Sequence, residues 1–207
     1  MQTDTFTVEE YLQDGLYCPA KVQRTYLWDT DQCATLLDDL LKAWRPARRG
    51  GAEPPAPVAR PEPGDAADAL ALADLAAPLG DVDPSEPASK YFLGVTIARR
   101  LQAGRYEIVD GLQRTTALTV LIAVLRDLLA SDAAISQRLN ACINTRDGAR
   151  LDLKTSRGAP LWDDIQKRGE AVKIRQHVAR ERFEKGRLRR AAKAFRERLA
   201  NEVGAAD

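Results

Sequence analysis

The chain has 207 residues, 31 Lys and Arg against 30 Asp and Glu, a formal charge of +1, one His and three Cys. Hydrophobic residues at 44% and charged residues at 29% are ordinary globular values, which excludes wholesale disorder, a collagen-like repeat and a membrane bundle. The longest apolar stretch, Ala117 to Leu125, falls far short of the ~20 residues a membrane span needs. The N-terminus also lacks the basic patch and apolar run of a secretory signal, so a soluble cytoplasmic protein is expected.

In chain order, Thr7-Val8-Glu9-Glu10 has the form of a capping box and predicts a short helix to about Gln13, closed by Gly15. Leu16 to Trp28, with Pro19 and several aromatic and β-branched residues, predicts an extended segment. Asp29, with Gln32 three residues on, reads as the N-cap of a second helix. That helix would bury Cys33, Leu36, Leu37, Leu40, Leu41 and Trp44, which recur at helical spacing.

Tyr91 to Ala98 predicts a largely buried strand, Gln102 to Arg105 a turn, and Arg105 to Val109 a second strand pairing with the first. Through Asp110-Gly111-Leu112-Gln113-Arg114 the chain enters Thr115 to Ala130, apolar on almost every side and expected to be a buried central helix. Ala149 to Leu153 predicts a short strand and Leu161 to Lys167 a short helix. The C-terminus predicts a helix with Leu188, Ala192, Phe195, Leu199 and Val203 on one face. Few strands among several helices make a helix-rich α+β protein.

The near-zero charge conceals two opposed blocks. Gly50 to Ser89 carries −7 and eight of the eleven prolines, so most of it cannot build a packed element. Asp65 to Ala77 is the one stretch of it suited to a short helix. Gln166 to Arg198 carries +9. The expected organisation is a core of residues 1–49 and 90–165, an acidic insertion at 50–89, and a basic helical region at 166–207.

Asp110-Gly111-Leu112-Gln113-Arg114-Thr115-Thr116 is the best candidate site. The first amides of a helix have no intrahelical partner and carry the positive end of its dipole, which suits phosphate. Gly111 allows close backbone approach, Arg114 offers a planar fork, Gln113 can donate or accept, and Thr115 and Thr116 add hydroxyls. Asp110 could hold the loop through amide hydrogen bonds, bind a ribose hydroxyl or position a metal-bound water. The plainer alternative is an N-cap aspartate, a turn glycine and a surface arginine.

Three blocks occur in order: Pro19-x-x-x-Gln23-Arg24-x-Tyr26-x-Trp28, Tyr91-Phe92-Leu93-Gly94, and Asp110-Gly111-Leu112-Gln113-Arg114. Together they resemble the DUF262 family, which supplies the N-terminal domain of GmrSD-type and SspE-type restriction proteins. Leu112 departs from the commonest form, which has Gln there, and the Pro19 to Gln23 spacing is one residue longer than usual. The resemblance implies a fold similar to ParB and sulfiredoxin, and binding and hydrolysis of an NTP, GTP or ATP, at Asp110, Gly111, Gln113 and Arg114. It also implies a role in phage defence, coupled to a separate HNH nuclease domain acting on modified DNA.

On that reading Arg114 and the helix amides hold phosphates, Gln113 orients the attacking water, and Asp110 organises the loop or a Mg²⁺ shell. Gln23 and Arg24 line the pocket, and Tyr26 and Trp28 either stack on a base or anchor the core. Arg187, Arg189, Arg190 and Lys193 either contact DNA phosphates or form a solvated helix face. Cys18, Cys33 and Cys142 form no Cys-x-x-Cys pair and His177 is the only His, so no protein-held metal and no nuclease centre are expected in this chain. The rival expectation is a non-enzymatic, ParB-like DNA-binding or regulatory module.

Overall fold

The computed structural model describes residues 4–24, 26–48, 91–102, 104–153, 165–169, 171 and 184–204. Residues 50–89, and with them the helix considered for Asp65 to Ala77, lie outside the described residues, as does most of the helix expected from Leu161 to Lys167. The chain divides into two compact units, one of Met1–Cys33 with Gly94–Arg196, the other of Ala34–Leu93 with Glu197–Asp207.

The expected capping box forms. The Thr7 hydroxyl accepts from the Glu10 amide, Glu10 reaches back to the Thr7 amide, and helix α1 runs Val8–Asp14. Strand β1 follows at Leu16–Pro19, and the rest of the expected extended segment leaves the ladder in a turn at Lys21 and Val22. Helix α2, Thr30–Arg48, starts as expected at Asp29, whose amide donates to Gln32 while its carboxylate accepts from the Thr30 amide at 2.9 Å.

The strand expected at Tyr91 to Ala98 is corrected by the structure. Strand β2 runs Ile97–Gln102, every residue of it is exposed, and Phe92 and Val95 are 77% and 61% exposed. The apolar run failed as a guide to burial because Gly94, at φ +104°, takes the chain out of strand geometry. Strand β3, Arg105–Asp110, matches its expected place. It pairs with β2 antiparallel and with β1 parallel, so the sheet order is β1-β3-β2. Two register shifts interrupt the β2–β3 ladder. Tyr17 and Ile108 are buried on one sheet face, where the Tyr17 and Tyr106 rings stack at 5.6 Å.

Helix α3, Leu112–Leu128, opens three residues before its expected start, and every residue from Thr115 to Val124 is buried. This is the central helix that an all-round apolar composition demands. Helix α4, Ala133–Ile143, was not anticipated. Its N-cap Asp132 accepts from the Ile135 amide at 3.0 Å, and it packs on α3. Of the strand expected at Ala149 to Leu153 only single bridges form, Leu151 to Tyr17 and Ala149 to Asn144. Helix α5, Glu184–Gly204, is the expected C-terminal helix, with Leu188, Ala192 and Phe195 buried in the first unit. In the second unit Leu36, Leu37 and Leu199 are buried, and Arg198 donates to Asp38 at 3.0 Å.

Near the C-terminal end of α3 the Arg126 side chain is buried beside the buried carboxylate of Asp127, 2.8 Å away. It donates to Asn140 and to the carbonyls of Ile165, Gln166 and Lys167, while Asp127 accepts from the Gly169 and Ala171 amides. This network ties the segment around 165–171 to the central helix. The sheet and the five helices among the described residues make an α+β fold.

Candidate functional site

A cleft of about 370 Å³ opens where β3 passes into α3, lined by Gln23, Trp28, Val95, Asp110, Gly111, Leu112, Gln113 and Arg114. Gly111 makes the passage. At φ +92° it ends the strand and serves as N-cap without a side chain, so no side-chain cap covers the first turn of α3. A Cβ at this position would lie 2.8 Å from the Thr96 hydroxyl, so the backbone of β3's end and Thr96 approach as closely as glycine allows. Asp110 does not cap the helix; its Oδ1 accepts from the adjacent Gly111 amide at 2.8 Å.

Arg114 is half-buried and makes no hydrogen bond or ion pair with any described residue. Its guanidinium packs on Gly94, where a Cβ would sit 2.5 Å from Nη1. The Phe-Leu-Gly block thus meets the Asp-Gly-x-Gln-Arg block at this glycine and arginine. Leu112, at the position that departs from the common Gln, is 4% exposed and supplies an apolar wall.

Gln113 has a different neighbourhood from the one its water-orienting assignment assumed. Its Oε1 accepts from the Leu27 and Trp28 amides at 2.7 and 3.3 Å, tying the first block to the helix start. Gln23 donates to the Val109 carbonyl and so lies over the end of β3. Trp28 lines the cleft, whereas Tyr26, 1% exposed, contacts Cys33 through its hydroxyl and is a core anchor. Arg24 is exposed and is not among the cleft-lining residues.

Thr115 and Thr116 do not line the cleft either. The Thr115 hydroxyl donates to the Gly111 carbonyl and pairs with the Tyr11 hydroxyl at 3.1 Å, and Thr116 is fully buried with no partner for its Oγ1 among the described residues. Their contribution is to the seating of the first turn rather than to the cleft surface.

Two of the arginines considered for DNA have partners inside the first unit. Arg190 forks onto Asp29, Nε to Oδ1 at 2.7 Å and Nη2 to Oδ2 at 3.0 Å, and Arg187 donates to the Leu27 carbonyl at 3.2 Å. Arg189 and Lys193 are half-buried and also have partners. The Arg190 fork, with help from the Thr30 amide, holds the Asp29 carboxyl below its ordinary 3.8. A depressed value means that the unfolded chain binds the proton more readily, so the contact stabilises the fold above about pH 4 and loses that effect as pH falls through the lower folded value. The stability gap between wild type and Asp29→Asn, read from urea unfolding, is therefore expected to be widest at neutral pH and to close in acid. A gap independent of pH would remove the ion pair as its source.

The family model for the GmrSD restriction endonuclease N-terminal domain matches residues 8–202. The chain belongs to this family. No match was found to a curated protein or to a solved structure. The match to the GmrSD N-terminal domain covers both units and all three blocks. Within this GmrSD-type domain, sequence reasoning missed Thr96 against Gly111, Val95 in the wall and the Asp29–Arg190 fork. For Thr96 and Val95 the only available signal was Gly94, a glycine interrupting an apolar run. No described helix is long and apolar enough to cross a membrane.

Proposed function

We propose that this GmrSD-type domain binds a nucleoside triphosphate, GTP or ATP, in the cleft at the start of α3 and hydrolyses it as the sensing part of a modification-dependent phage-defence restriction system. The observation that carries this reading is Arg114, a half-buried guanidinium lining a cleft without a partner among the described residues. A partly desolvated cation gains when an anion pairs with it. The uncapped amides of α3 add donors aimed at the same place, and Trp28 offers an aromatic wall.

In this scheme Arg114 and the amides take the terminal phosphates and stabilise charge as it develops on them. Asp110 is the remaining group for the attacking water or for a Mg²⁺ shell. No described group of three His, Cys, Asp or Glu could hold a metal by itself. Mg²⁺ arriving with a nucleotide needs only one or two carboxylates, with phosphate and water completing its shell, and Asp110 meets that need. Gln113 holds the Trp28 wall through its Oε1. Modified DNA and an HNH nuclease domain or subunit are the partners of this scheme.

Arg114→Ala is expected to weaken GTP or ATP binding about 10- to 100-fold, the worth of charge-assisted bonds to phosphate. Calorimetric titration with each nucleotide and a phosphate-release assay check it together. Equal affinity of wild type and variant would sink the nucleotide site. Binding without release, alone or with modified DNA, would favour the second reading, a regulatory module that binds without turnover. That reading draws on one feature: the Gln113 acceptor oxygen is occupied by two backbone amides.

A further inference from the structure

The segment Leu27–Asp29 carries one cleft wall and is held from two directions. From the cleft side, Gln113 takes the Leu27 and Trp28 amides. From α5, Arg187 takes the Leu27 carbonyl and Arg190 grips both oxygens of Asp29, the residue next to Trp28. Leu27 is 44% exposed and Trp28 half-buried, so apolar burial beyond Tyr26 does little to fix them. Polar contacts hold the backbone that carries the indole.

We propose that Arg187 and Arg190 of α5 are positioning residues that set Trp28 as the wall of the cleft, making the C-terminal basic helix a control element of the ligand site. For its ligand the proposal rests on the nucleotide reading above. The bidentate Arg190–Asp29 geometry fixes both distance and direction, as a single flexible ammonium would not. The fork also sits at the N-cap of α2, so one carboxylate serves a helix start and the α5 contact together. A change in the placement of α5 is thereby passed to the Trp28 backbone through two side chains.

The test uses the full chain. With Trp44→Phe and Trp162→Phe leaving Trp28 as the only indole, Arg190→Ala is expected to raise the acrylamide quenching constant of Trp28 about twofold while far-UV circular dichroism stays unchanged. Arg190→Lys should fall between wild type and Arg190→Ala. In titrations with GTP, Trp28→Ala is expected to weaken binding about tenfold and Arg190→Ala about fivefold. The double variant should be no weaker than Trp28→Ala, because Arg190 acts through the indole. Losses that multiply, or quenching that does not move, would overturn the proposal. If wild type fails to bind GTP, the nucleotide reading falls and the quenching result alone decides whether α5 positions Trp28.

Discussion

Arg126→Ala is expected to lower the unfolding free energy by about 3–5 kcal/mol, the usual result of breaking a buried, hydrogen-bonded ion pair from one side. The substitution leaves Asp127 buried without its guanidinium and strips a donor from the carbonyls of Ile165, Gln166 and Lys167. For a chain of this length a loss of that size lowers Tm by about 6–20 °C. Differential scanning calorimetry together with urea unfolding checks it. The cleft lies toward the opposite end of α3, about 20 Å from Arg126 by the helical rise back to Leu112, so protein that stays folded should keep the ligand affinity of wild type. A midpoint shift of only a degree or two would mean that the segment around 165–171 finds other partners.

Gly111→Ala is expected to cost on the order of 3 kcal/mol and to damage the cleft at the same time. Part of the cost is a non-glycine residue held at φ +92°, about 1–3 kcal/mol, and part is the new Cβ driven to 2.8 Å from the Thr96 hydroxyl and 3.2 Å from the Thr96 Cα. The hydroxyl could turn away; the backbone carbon cannot. Relief therefore comes from shifting the first turn of α3, which carries Gln113 and Arg114. Thermal unfolding reads the first effect and nucleotide titration the second. Gly111→Ala/Thr96→Ala should recover only part of either loss, since the φ strain and the crowding against the residue 96 backbone both stay. Full recovery would assign the whole effect to the threonine side chain.

Local chemistry was legible where it acts within a few residues. The Thr7–Glu10 capping box, the Asp29–Gln32 helix start, the short β3 and the burial of α3 all follow from adjacent side chains or from composition. What failed was inference from apolar runs in short segments. Tyr91 to Ala98 looks buried, yet Phe92 and Val95 face solvent because one left-handed glycine redirects the chain. Helix α4 escaped notice although Ile135, Leu139, Cys142 and Ile143 recur at helical spacing, because they are few, stand among alanines and polar residues, and have only the Asp132 cap to mark their start.

The site shows the same division. The position of Asp110 to Arg114 at a helix start was readable, but of the four residues read with it from the first block, Gln23 and Trp28 line the cleft while Arg24 and Tyr26 do not. The direction of each side chain was not readable. Whether Thr115 faces the cleft or the core depends on Tyr11, a hundred residues earlier, and whether Arg190 faces solvent or Asp29 depends on how α5 meets the end of an extended segment. Such partners are set by tertiary packing, which residue type and spacing do not encode on their own.

The small sheet closes itself against growth. On the β1 side it tapers to a single bridge with Leu151, and on the β2 side the edge strand meets β3 through two register shifts and carries Arg99 and Arg100. Kinked, charged edges are poor templates for a further strand, so an incoming extended chain finds no straight row of amides and carbonyls to copy. A kinked and charged edge strand of this kind disfavours edge-to-edge aggregation, even with Ile97 and Leu101 standing open to water.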